Sequence, residues 1–461
     1  MRTTWIAVVF SSLLVTGHSV AATPYDDLTP GHWRVISNNT IDDVDPCPES
    51  NCAYTAVEGV SAVIDDWCGG ALASGYGTLG GLVAWGGGHN GYFGSEPYIF
   101  DLGTQLWVRA AEPYDNGGSS VAPDCADNGT YPDLSACAAH TYDQVDYQPT
   151  ENRFIIMSGT DDPVCGGCSD GYVHAFDFDD GSWSVGPQMP MPTYGATSAY
   201  DPNRDVFWFL GAYSYPPLYR YDPAANGGTG AWTEHGNAAQ PIDIDGAGIV
   251  DPVRDLFLYL DARGSGKLFA FDLKNPDTTS VELTTAGDTA IQTNGALGFD
   301  WDPVEDRAVA WADGADLYVL APPAGDWRTG TWTWTLFPPA ADNDVVPARN
   351  PNGTYSRFRY VPSVNAFVLV SSTSGPVWMI RVSDKPGTGT NPGSGGAAGA
   401  GGGSTGSSAA ASGAGGAQGA APDSGEGCGC RLAERDGGAR LALLAILGGI
   451  IALHRRRRAR A

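Results

Sequence analysis

The sequence predicts an all-β fold, a propeller of six blades, or of seven if one degenerate unit lies hidden among them. Two repeating elements and a recurring tryptophan carry that expectation. The first element is a turn: Tyr147-Gln-Pro-Thr-Glu-Asn-Arg-Phe, Tyr200-Asp-Pro-Asn-Arg-Asp-Val-Phe, Val250-Asp-Pro-Val-Arg-Asp-Leu-Phe, Trp301-Asp-Pro-Val-Glu-Asp-Arg-Ala and Tyr360-Val-Pro-Ser-Val-Asn-Ala-Phe. Their prolines stand 53, 50, 51 and 59 residues apart. In each, Pro with Asp or Asn makes a tight turn, and an apolar strand such as Phe154-Ile-Ile-Met or Phe207-Trp-Phe-Leu follows.

The second element is a strand that ends on aspartate in four of its six copies: Tyr98-Ile-Phe-Asp101, Val173-His-Ala-Phe-Asp177, Leu218-Tyr-Arg-Tyr-Asp222, Leu268-Phe-Ala-Phe-Asp272, Leu317-Tyr-Val-Leu and Val377-Trp-Met-Ile. A tryptophan commonly comes next, at Trp107, Trp183, Trp232 and Trp332. Each unit thus supplies four short strands over about fifty residues, the size of one blade. The last unit stops near Arg381 without its outer strand, while His32-Trp33-Arg-Val-Ile near the other end has no blade of its own. Pairing the two would close the ring and leave no open edge strand to template aggregation.

The first blade carries Leu82-Val-Ala-Trp-Gly86-Gly87-Gly88-His89-Asn90-Gly91-Tyr92, followed by Glu96, Tyr98, Phe100-Asp-Leu and Trp107. With these residues the chain resembles kelch-repeat and galactose-oxidase-type propellers over residues 60–382, as a divergent array whose later blades lack the double glycine. In the galactose oxidase group the resemblance would imply copper held by a Cys-linked Tyr, a Tyr next to a His, and a ligand from a following domain. No Tyr-His dipeptide occurs here, and the last blade runs directly into a low-complexity stretch. The resemblance is to the propeller rather than to that active site, and a fold does not carry its function with it.

Four regions are expected. Residues 1–22 read as a secretory signal peptide: one arginine, an apolar run from Trp5 to Val15, and Val20-Ala21-Ala22 before the cut. Residues 23–384 form the propeller. Residues 385–427 are almost wholly Gly, Ala, Ser, Thr and Pro, a composition that behaves as a flexible stalk. Residues 428–461 bring Cys428-Gly429-Cys430, the apolar run Leu441 to Leu453 and an arginine cluster. Thirteen residues at ~1.5 Å each reach about 20 Å, short of the ~30 Å hydrocarbon core. That order resembles the MYXO-CTERM sorting signal, which implies export, a membrane contact through the C-terminal segment, and surface attachment at Cys428 or Cys430.

Between residues 23 and 427, 16 Lys and Arg face 50 Asp and Glu, a formal net charge of −34. Such a surface excludes nucleic acid and anionic membrane as partners of the folded domain. Divalent cations, cationic ligands and neutral sugars stay open. Seven of the nine cysteines precede the stalk, and export makes disulfides the expectation. Short-range pairing would join Cys47 to Cys52, Cys125 to Cys137 and Cys165 to Cys168, leaving Cys68 single, although spacing does not fix the pairing.

Propeller ligands meet the channel mouth where loops enter the innermost strands. Nine residues before each turn proline stand His140, Thr193, Asp243, Asn294 and Gly353; seven before stand Tyr142, Gly195, Asp245, Ala296 and Tyr355. Kept in register, these form two rings, and a polar and aromatic cluster there suits a ligand pocket. The ligand-binding expectation is His89, Tyr92, His140, Tyr142, Tyr194, Asp243 and Asp245. His89 and His140 with a nearby tyrosine would hold a transition metal, whereas each histidine alone would simply bond within a turn. Calcium is the other cofactor considered, at Asp124 to Asn128 and Asp161 to Asp170, though neither has EF-hand spacing and solvated loops explain both. Two functions follow: a surface module that binds an extracellular polysaccharide or protein, or an extracellular carbohydrate-active enzyme, an oxidase or lyase, with His140 and Tyr142 as acid and base.

Overall fold

The computed structural model describes residues 23–389, apart from 47–57, 88–90, 116–124, 158–170, 192 and 344. Six sheets form six blades. Their innermost strands are Gly70–Ala73, Val145–Gln148, Thr197–Asp201, Ala247–Asp251, Gly298–Asp302 and Phe358–Val361. Each touches the next around the axis, and the last touches the first. The ring closes as expected: Arg34–Ser37 pairs antiparallel with Val377–Ile380, with Arg34 opposite Met379 and Val35 opposite Trp378. Arg381 locks this joint from inside, donating to the carbonyls of Tyr25, Leu28 and Val364.

The repeated turn has a physical cause. Asn152, Asp205, Asp255, Asp306 and Asn365, each three residues after a turn proline, have φ between 50° and 56°. Asn and Asp tolerate that left-handed backbone better than other side chains. The tyrosine two residues before the proline then latches the turn: Tyr147, Tyr200 and Tyr360 donate to Asn152, Asp205 and Asn365 at 2.7–2.9 Å. Arginine two residues after the proline ties blades together. Arg204 bonds Asp201 in its own blade and Asp255 in the next, and Arg254 bonds Asp251 and Asp306 in the same manner.

The second element and the tryptophan meet across strands. Phe100, Phe176 and Tyr221 stand opposite Trp107, Trp183 and Trp232, with ring centroids 5.0–5.5 Å apart. Such pairs add about 0.5–1.5 kcal/mol to ordinary burial. The fifth blade departs from the expected pattern. Trp334 rather than Trp332 faces Leu320, and Thr284–Gly287 crosses from the fourth blade to add a parallel fifth strand beside Thr331–Phe337.

Cys125 and Cys137 are disulfide-bonded and Cys68 is a buried free thiol, which burial pushes up to about 12. The other expected pairs, Cys47 with Cys52 and Cys165 with Cys168, lie outside the described residues, as do the signal peptide, the stalk beyond residue 389, Cys428, Cys430 and the apolar run. Among the described residues, no helix is long and apolar enough to cross a membrane.

Candidate functional site at the loop mouth

Six loops converge where the chain enters the innermost strands. The residues counted seven before the prolines share one conformation: φ is 47° at Tyr142, 60° at Gly195 and Asp245, 54° at Ala296 and 48° at Tyr355. Trp67, with φ 52°, supplies the sixth position. Neighbouring loops are bonded through this ring: Tyr142 N–H donates to Trp67 at 2.7 Å, Asp245 to Gly195 at 3.2 Å, and Ala296 to Asp245 at 2.7 Å. Tyr355 N–H donates to Ala296 at 3.3 Å. These bonds offset the ~1–2 kcal/mol that a left-handed residue costs. At Gly195 an added side chain would clash, since a Cβ would stand 2.4 Å from that of Ile244.

This bonded backbone ring gathers side chains into one cluster at the loop mouth, most of them buried. Tyr142, Ala296 and Tyr355 pack together with Trp67 and Tyr194. The Trp67 ring lies 5.1 Å from His140, His140 lies 5.9 Å from Tyr142, and Tyr142 meets Tyr355 edge-on at 5.7 Å. A polar chain leads outward from this cluster. Tyr355 Oη donates to Asp245 Oδ1 at 2.9 Å, and Arg263 Nη1 donates to Asp245 Oδ2 at 2.6 Å. Burial, with the Asp245 carboxylate beside it, pushes the Tyr355 phenol well above its usual range, so it acts as a hydrogen-bond donor. The Arg263 side chain is 52% exposed and stays charged beside Asp245.

His140, Tyr142, Tyr194 and Asp245 are thus brought to one mouth. Asp243 lies in the same loop as Asp245, but its carboxylate accepts the Ile244 N–H at 2.9 Å and shapes the turn. Tyr92 is placed elsewhere. Its side chain is buried in the core shared by the first and last blades and donates to Glu96, which also accepts from Tyr98 at 2.5 Å. Burial raises Glu96 to about 7 in spite of these bonds. His89 lies outside the described residues, as do Asp124 and Asp161 to Asp170. Among the described residues, no three His, Cys, Asp or Glu side chains converge as metal ligands. Trp67 and Arg263 are additions to the expected set, and so is Tyr355, which the ring count places but the ligand-binding expectation leaves out.

Of these side chains Trp67, Tyr194 and Arg263 are partly exposed, while His140, Tyr142, Tyr355 and Asp245 are buried; the exposed aromatic faces and guanidinium are what a ring bearing hydroxyls can meet. No family model matches the sequence. A curated relative, a probable dipeptidyl-peptidase 5 from Emericella nidulans, is 26% identical over 214 residues. The match takes in 44% of this chain and 28% of that protein. Among solved structures, a fungal alcohol oxidase of the AA5 family in complex with copper aligns with a TM-score of 0.36 and 13% identity, covering 66% of this chain and 56% of the other. A likeness that weak carries no argument, and the propeller stands on its own strand order.

Proposed function

We propose that the chain is a surface-displayed propeller whose loop mouth binds an extracellular ligand, a polysaccharide in preference to a protein. The convergence of Trp67, His140, Tyr142 and Tyr355 on the Asp245–Arg263 pair carries this reading. Display at the surface draws on the expected export signal and C-terminal sorting signal. Thr388 and Gly389 donate to the carbonyls of Pro362 and Ser363, so the backbone leaves from the turn face, opposite the loop mouth. Retention of the exported chain on glycan and protein arrays tests this reading. Retention lost in Trp67→Ala and in Asp245→Asn supports it, and absence of retention on any surface rejects it.

The second reading, an extracellular carbohydrate-active enzyme, draws on the contact between His140 and Tyr142. Elemental mass spectrometry separates the two. Stoichiometric copper, iron or zinc that is lost in His140→Ala would favour the enzyme, as would release of peroxide or unsaturated sugar.

A further inference from the structure

At the opposite end of the channel, the five turn prolines with Ala71, Ala199 and Ile249 wall a funnel of about 350 Å³. Its walls are apolar, but Asp146, Asp300 and Arg359 also line it. Arg359 is buried between the two carboxylates, 3.6 Å from Asp146 and 4.0 Å from Asp300, and its hydrogen bonds to the carbonyls of Gly70 and Val145 are 3.4 Å long. Asp143, three residues before Asp146, is buried as well and accepts from Thr197 at 2.5 Å and from the Gly248 N–H at 3.1 Å. Two carboxylates thus flank the guanidinium, and a third, Asp143, is buried within its electrostatic reach.

Surplus buried charge is costly and is relieved either by a proton or by a partner of opposite sign. Burial drives Asp146 up to about 6 and Asp143 up to about 7, and raises Asp300, against the pull of Arg359 on each. A proton is thus one remedy, and a cation is the other. A metal ion is disfavoured, because no three ligating side chains converge among the described residues. An anion would meet more carboxylate than guanidinium. The carboxylates also have structural duties: Asp146 accepts from Ser198 at 2.5 Å and Asp300 from the Tyr360 N–H at 2.8 Å. Asp146 Oδ1 faces Arg359 at 3.6 Å, a long separation for an ion pair.

We propose that the turn mouth is a second binding site, for a small organic cation: a protonated amine held at Asp146 and Asp300 with its carbon body against the apolar wall. This site is independent of the loop mouth. The test is calorimetric titration of the full chain with n-hexylammonium, n-hexanol and hexanoate at about pH 7.5. Saturable binding of the amine alone is expected, about tenfold weaker at about pH 5 as Asp146 takes up a proton. Asp146→Asn, which keeps an acceptor for Ser198, should weaken it by about tenfold or more, while Asp245→Asn leaves it unchanged. If Asp146→Asn melts early, Asp300→Asn carries the same test. Equal binding of hexanol, tighter binding of hexanoate, no heat with the amine, or indifference to both substitutions would each overturn the proposal.

Discussion

At the loop mouth a carboxylate and a half-exposed guanidinium are paired beside an aromatic cluster; at the turn mouth two carboxylates flank one buried guanidinium, and prolines, aliphatic residues and aromatic residues share the walls. Both mouths are built from the same repeat, so the backbone is nearly six-fold at each end. What differs is the side chain that each blade places at an equivalent point. Three residues before the turn prolines stand Asp146, Ala199, Ile249, Asp300 and Arg359, so charge enters from three blades only. The repeat specifies where side chains converge, and the departures from it specify the chemistry.

The largest contrast is expected between two arginines. Arg359→Met removes the guanidinium that flanks Asp146 and Asp300 and should cost about 3–5 kcal/mol at neutral pH by urea unfolding, partly recovered near pH 5. Next comes Asp143→Asn. The folded Asp143 holds its proton to about pH 7, against an ordinary value of 3.8, so between those values the native state binds a proton that the unfolded chain has lost. Stability from this group is greatest below about pH 4 and declines as pH rises to about 7. The melting difference between Asp143→Asn and wild type should therefore grow over that window; a flat difference would contradict the burial of an ionisable group there.

Gly195→Ala should cost about 1–3 kcal/mol, since it forces a side chain into left-handed backbone against Ile244. Tyr355→Phe loses only the bond to Asp245 and should cost about 0.5–1.5 kcal/mol. Arg263→Met, at the half-exposed pair, should cost less than about 1 kcal/mol and act mainly on ligand binding. If Arg263 and Arg359 proved equally costly, the two mouths would not differ as described.

The spacing of the prolines made most of the loop mouth legible in the sequence. Counting seven back identified five of the six left-handed positions, because the turn and the entering loop belong to one rigid strand. Trp67 escaped because the first blade turns at Ser74-Gly75 and offers no proline to count from. Arg263 escaped because it comes from the hairpin after Leu256–Asp261, a loop outside the counted repeat that reaches Asp245 only in space. Tyr92 follows the glycine loop, yet its side chain turns into the core between the first and last blades, where Glu96 satisfies its hydroxyl. The turn funnel had a visible sign, a charged residue in the middle of an otherwise apolar innermost strand at Asp146, Asp300 and Arg359. Its meaning depended on knowing that the three strands face one axis.

The most direct discrimination is a side-by-side array of the full exported chain as wild type, Trp67→Ala, Asp245→Asn and Asp146→Asn. Loss of polysaccharide retention in the first two variants, with Asp146→Asn retaining as wild type does, is the predicted result. Retention that survives at the loop mouth and disappears with Asp146→Asn would mean that the extracellular ligand enters from the other end.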